Sequence, residues 1–226
     1  MESALSKMGL YELLGGFVPG MTAIILWTYL ELPPVAMGKI EGDNLKIVFF
    51  LVESYFIGLI IQELSSFIDK KMVNFRETSK RTFLNHDNNI VHDKKELNDY
   101  RKIANHILRK NADNTEFTPE DQHYVFMYCK GFLEANKKNG KEYSLDSLFA
   151  MSRSFTIMLP LLLIFRLLRC YVNSQFYVID FFNLVLICFL TYVFYRRTKR
   201  YSFLRTHAVL QHYRALSQEN VLHEDV

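Results

Sequence analysis

The chain has 226 residues, half of them apolar and 15% aromatic, with a formal net charge of +3. So small a basic excess lacks the heavy cationic bias of a non-specific nucleic-acid binder, and three widely spaced cysteines (Cys129, Cys170 and Cys188) offer neither a disulfide framework nor a metal spacing. A mean hydropathy near zero conceals an uneven distribution, with the apolar residues gathered in four blocks and a middle third as charged as a soluble protein.

The opening MESALSKMGLYELLGG lacks the apolar core and small-residue cleavage site of a signal peptide, so the first apolar block reads as a retained helix. That block covers residues 14–32 and ends at Pro33-Pro34, because a proline ring cannot continue a helix. The second covers 45–64, the third 154–172 and the fourth 176–195. Each is close to the roughly 20 residues that cross ~30 Å of hydrocarbon. The expected fold is an all-α integral membrane protein with four transmembrane helices and a helical cytoplasmic insert between the second and third.

Lysine and arginine bias orients these spans. The loop after span one carries Lys39 against Glu41 and Asp43, whereas span two is followed by Lys70, Lys71, Arg76, Lys80 and Arg81. Span four is followed by Arg196, Arg197, Lys199, Arg200 and Arg205, on the same side of the membrane. That side is expected to be the cytoplasm, which puts both termini on the cytoplasmic side of the inner membrane. The organisation expected is an N-terminal transmembrane hairpin over 1–64, a cytoplasmic helical segment over 65–153, a C-terminal transmembrane hairpin over 154–195, and a basic helix with tail over 196–226.

Within the cytoplasmic segment, Asp93 with Glu96 three residues on forms a helix start. Leu97, Tyr100, Ala104, Ile107 and Leu108 then make one apolar stripe. Thr118-Pro119-Glu120-Asp121 starts a second helix that carries Tyr124, Val125, Met127, Tyr128, Phe132 and Leu133 and stops at Gly140. Ser144 is placed to cap a third helix running into span three, span two is expected to continue to about Thr82, and span four to about Leu216. The segment holds 16 basic and 13 acidic residues, and the basic ones beside the spans suit topology and anionic lipid headgroups.

Four charged residues lie inside the apolar blocks. Glu53 falls in the outer half of span two, Arg166 and Arg169 near the outer end of span three, and Asp180 near the start of span four. A charge in hydrocarbon costs about 2.5–3.5 kcal/mol on insertion scales, so these residues should face partners or water. Counting depth along each helix sets Glu53 level with Arg166, and Arg169 near Asp180. They serve either as a polar pathway or as interhelical ion pairs that fix packing. Gly16 with Gly20, and Ser54 with Gly58, stand four apart and allow close helix contact, with Pro19 equally suited to an entry kink.

Arg81 to His86 and Arg101 to His106 each space an arginine and a histidine in a way that resembles the catalytic motif of HEPN ribonucleases. There such groups polarise a phosphate and handle the proton of an RNA 2′-hydroxyl. Arg200/His207 and Arg205/His212 repeat the spacing. The position directly after each arginine departs from the usual motif, being Thr82 and Lys102. No phosphate-binding glycine loop, zinc spacing or nucleophile elbow occurs, so no ATPase, protease, metalloenzyme or small-molecule cofactor is implied. His92, His123 and His223 read as surface residues.

The stretch Tyr11 to Gly20 (YELLGGFVPG), the layout of two spans, helical insert and two spans, and Met151-Ser152-Arg153-Ser154 at the start of span three resemble small prokaryotic multi-pass proteins of anti-phage defence. Accessory membrane proteins of type VI CRISPR systems are one group of this kind that the chain resembles. The resemblance implies an oligomeric membrane effector or pore that perturbs permeability, with the lipid bilayer and a second copy as partners. Two alternatives stand beside it: a membrane-anchored HEPN-like ribonuclease acting on RNA, and a non-catalytic scaffold for a soluble partner.

Overall fold

The computed structural model describes residues 9–30, 32, 42–84, 94–111, 116–135, 141–173 and 177–224. Helices account for nearly all of them and no strand occurs among them. In chain order these are α1 (Leu10–Tyr29), α2 (Asp43–Val73), α3 (Phe75–Thr82), α4 (Lys94–Leu108), α5 (Pro119–Ala135), α6 (Lys141–Val172) and α7 (Val178–Glu224). Helices α1, α2, α6 and α7 are long and apolar enough to cross a membrane.

The chain divides into two compact units, both of which draw on α6 and α7. Unit 1 takes its residues from 1–72 and 147–198, and unit 2 from 73–146 and 199–226.

Unit 1 is built on one close backbone contact and one apolar core. Gly16 and Gly20 of α1 pack directly on Ser54 and Gly58 of α2. A Cβ on Gly20 would overlap the Ser54 carbonyl oxygen and the Gly58 backbone, and one on Gly58 would overlap the Gly16 carbonyl. The small residues noted in the sequence are therefore each other's partners within one chain. Pro19 sits in the first turn after a widened π turn at Leu13–Phe17, without breaking α1. Ala23, Leu30, Ile61, Phe155, Met158 and Leu162 form the core beside this seam. Phe155 of α6 stacks on Phe194 of α7 at 4.6 Å between ring centres.

Unit 2 folds around α4 and α5. Leu97, Tyr100 and Ala104 are buried, with Ile107 and Leu108 packed at the edge, as the stripe predicts. On α5, Val125, Phe126, Cys129 and Leu133 turn inward while Tyr124, Met127 and Tyr128 stay exposed. The α5 start is a reciprocal cap: the Asp121 N–H donates to Thr118 Oγ1 at 3.1 Å and the Thr118 N–H donates to the Asp121 carboxylate at 3.0 Å. Lys110 sits 2.7 Å from the same carboxylate and holds Asp121 below the usual aspartate range.

Three expected boundaries shift. Span two does not run unbroken to Thr82, because Asn74 adopts a left-handed conformation (φ 57°) that separates α2 from α3. Asparagine tolerates that region better than most residues. Helix α6 begins at Lys141, so Ser144 lies inside it rather than capping it. Helix α7 continues beyond Leu216 to Glu224. The expected cap at Asp93, the Pro33-Pro34 stop and the Gly140 stop lie outside the described residues.

Candidate functional site

The charged residues within the apolar helices are only partly satisfied by the fold. Arg166 of α6 meets Asp180 of α7, with Nη2 at 2.6 Å and Nε at 2.8 Å from Oδ1, and its Nη1 donates to the Leu30 carbonyl at 2.7 Å. The other Asp180 oxygen accepts the Tyr177 N–H at 2.9 Å. Depth counting sets Arg169 beside Asp180, but the structure gives that carboxylate to Arg166. Depth ignores azimuth: three residues of helix rotate a side chain by about 60° from its own meridian, and here Arg166 holds the azimuth facing α7.

Glu53 and Arg169 are left over. Glu53 Oε2 and Arg169 Nη1 are buried atoms without a hydrogen-bond partner. Glu53 therefore does not pair with Arg166 in this chain. It lies on α2 next to Ser54, whose backbone is already engaged by Gly20.

A second polar cluster joins α1, α2 and α6 near the other end of these helices. Arg153 Nε donates to Ser65 Oγ at 3.2 Å, and its Nη1 lies 3.9 Å from the Asp69 carboxylate, with both side chains more than nine-tenths buried. Its guanidinium also sits over the Phe149 ring. Ser154 Oγ donates to the Gly15 carbonyl at 3.3 Å, within the π turn of α1. Asp69 likewise opens a π turn at the end of α2. Single π turns interrupt a regular helix at a cost and recur where a side chain needs a displaced backbone. Sequence reasoning passed over Asp69 because it precedes Lys70 and Lys71 in a basic flank; an acid directly beside two lysines was the available signal.

In unit 2, Arg101 and His106 are not brought together within the chain. Arg101 donates from Nη2 to the Leu84 carbonyl at 3.1 Å, and His106, five residues on, is exposed on a different face of α4. Arg81 is held by Glu120 at 3.1 Å and lies near Glu77, while His86 falls outside the described residues. His123 lies 3.4 Å from Glu77, and His92 and the His223 side chain also fall outside. Arg205 is paired with Asp146 at 2.8 Å.

His207 instead joins Tyr100 and Glu96. The Tyr100 hydroxyl lies 2.7 Å from Glu96 Oε1 and 2.8 Å from His207 Nδ1. An ionised carboxylate only accepts, so Tyr100 donates to Glu96 and His207 Nδ1–H donates to the phenol oxygen. Burial and the Glu96 contact push the Tyr100 phenol above its ordinary range. Burial pushes the Cys129 thiol up to about 12, which makes it unreactive at neutral pH. Lys80, buried and 2.9 Å from Glu77, is pushed below its usual range by burial. No group of three or more metal-ligating side chains occurs among the described residues.

No protein-family model matches the chain, nor does any curated protein or solved structure. The fold and these clusters define an all-helical protein with four helices suited to crossing a membrane.

Proposed function

We propose that the chain inserts as a four-span bundle in the cytoplasmic membrane of a prokaryote, with both termini in the cytoplasm, and acts there as an oligomeric effector that perturbs membrane permeability in anti-phage defence. The observation that carries this reading is Glu53. Its Oε2 is buried without a hydrogen-bond partner in the apolar stretch of α2, while Arg166 is already committed to Asp180. A carboxylate in that setting is costly unless a second chain or a polar path meets it.

Two further features support the same reading. The most apolar stretch of α7 is only 11% buried within the chain, and that of α2 only 17%, so most of their surface is left for lipid or for other copies. The basic flanks after α2 and along α7 suit a cytoplasmic face. The anti-phage role rests on the N-terminal YELLGGFVPG stretch and the MSRS stretch, which meet in the fold through Gly15 and Ser154.

The test is membrane potential in bacteria expressing the protein, at rest and under phage challenge, for wild type and Glu53→Ala at matched membrane levels. Depolarisation that Glu53→Ala abolishes, from a species larger than a monomer in mild detergent, is the expected result. A strictly monomeric protein that leaves the potential unchanged under challenge ends the reading.

A further inference from the structure

Unit 1 contains a cavity of about 290 Å³ walled by Ala23 and Trp27 of α1, Ile57 and Ile61 of α2, and Leu162 and Phe165 of α6. Its wall presents hydrocarbon and aromatic surface alone. Water needs two to four polar partners to stay in such a space, and these walls supply none. An engineered apolar cavity of about 150 Å³ stays dry and takes up apolar ligands, and this one is larger. Phe165, in ring contact with Trp27 at 5.6 Å, is 48% exposed at the edge, so the cavity opens sideways from the bundle.

The residue one turn beyond Phe165 on the same face of α6 is Arg169, about 6 Å further along the axis. Its Nη1 is buried and has no hydrogen-bond partner, whereas the neighbouring Arg166 is fully engaged by Asp180 and Leu30. An apolar cavity with an unmatched guanidinium N–H one turn away along the helix complements an anionic amphiphile. A partner helix, about 10 Å across, is too wide for the space.

We propose that one phospholipid of the outer leaflet occupies unit 1, with an acyl chain in the cavity and its phosphate on Arg169. Arginine suits a phosphate because its planar fork offers two parallel donors, and at this site the alternative is an unmet donor. The proposal rests on the bilayer placement given under Proposed function, and its test separates the two.

The full-length protein is extracted from membranes in mild detergent, and retained lipid is counted by native mass spectrometry. Wild type is expected to carry one phospholipid per chain. Ala23→Leu and Leu161→Phe, two substitutions that fill the cavity (Leu161 of α6 also lines it), should each lower retention, and Arg169→Gln should lower it about tenfold, as loss of a charge-assisted contact implies. Free inorganic phosphate should not displace the lipid, because the acyl chain holds it. A membrane-inserted wild type without bound phospholipid overturns the site while leaving the bilayer placement standing. Equal retention in wild type, Arg169→Gln and a cavity-filled variant also overturns it, as does displacement by phosphate alone. A wild type absent from the membrane fraction overturns the bilayer placement itself.

Discussion

Arg166 and Asp180 form a two-bond ion pair between α6 and α7, at 2.6 and 2.8 Å, with the carboxylate side chain only 2% exposed. The guanidinium also holds the carbonyl of Leu30, the residue directly after α1, so the ends of three helices converge on it. Removing one partner of a buried pair strands the other, at a cost of about 3–5 kcal/mol. Arg166→Ala should therefore lower the thermal unfolding midpoint in detergent sharply. The double change Arg166→Met/Asp180→Leu, which strands no charge, should recover most of the loss. Equal melting of Arg166→Ala and wild type would show that the pair contributes nothing.

The seam between α1 and α2 makes a steric prediction with a built-in control. Gly58→Ala places a methyl group on the Gly16 carbonyl, and Gly20→Ala places one on the Ser54 carbonyl. Overpacking of this kind costs about 1–3 kcal/mol, more where only backbone can give way. Gly131 lies within helix α5 with open space where its Cβ would be, so Gly131→Ala should stabilise by up to about 1 kcal/mol through helix propensity. Chemical or thermal melts that rank Gly131→Ala below Gly58→Ala contradict this account.

Much of the architecture was legible because hydrophobic length and periodicity are local properties. The four apolar blocks, the α4 stripe from Leu97 to Ala104 and the Thr118-Pro119 start of α5 all follow from neighbouring residues. The break at Asn74 was not legible, since asparagine is tolerated inside helices and left-handed geometry leaves no compositional mark. Pairing of the charged residues was half legible: Arg166 and Asp180 stood out as costly in an apolar helix, but azimuth decided their union and left Arg169 over. The Arg153–Asp69 and Tyr100–His207 contacts join residues 84 and 107 positions apart, so no local pattern announces them. The Arg101/His106 spacing puts its two residues on different faces of α4, since five residues along a helix do not return to the same face.

Arg153 offers a test of whether geometry or charge matters at the cluster it forms. Its Nε serves Ser65 while Nη1 faces Asp69, two directions that a single ammonium cannot cover together. Arg153→Lys keeps the charge yet should still cost about 1–3 kcal/mol, through an unmet buried group. Arg153→Ala should cost more, because the buried Asp69 carboxylate then loses the guanidinium that faces it. Denaturant titration of both variants decides it, and a lysine variant as stable as wild type would reduce the cluster to its charge.

Tyr100 predicts the alkaline behaviour of unit 2. Its phenol is raised above the ordinary value near 10, first by burial and then by the Glu96 carboxylate it donates to. A raised value means that the folded state holds the proton more tightly than the unfolded state does. The stabilisation is thus fully present below about pH 10 and is lost progressively as the pH climbs above it. Tyr213, also raised by burial, adds to the decline in the same direction. Tyr100→Phe should be less stable at pH 8 by about 1–2 kcal/mol, because Glu96 and His207 lose their shared partner. It should also lose stability less steeply between pH 9 and about 11, since one of the two linked phenols is gone. Melting curves followed by circular dichroism across that range provide the check. Parallel declines in the variant and the wild type would mean that Tyr100 does not hold its proton through folding.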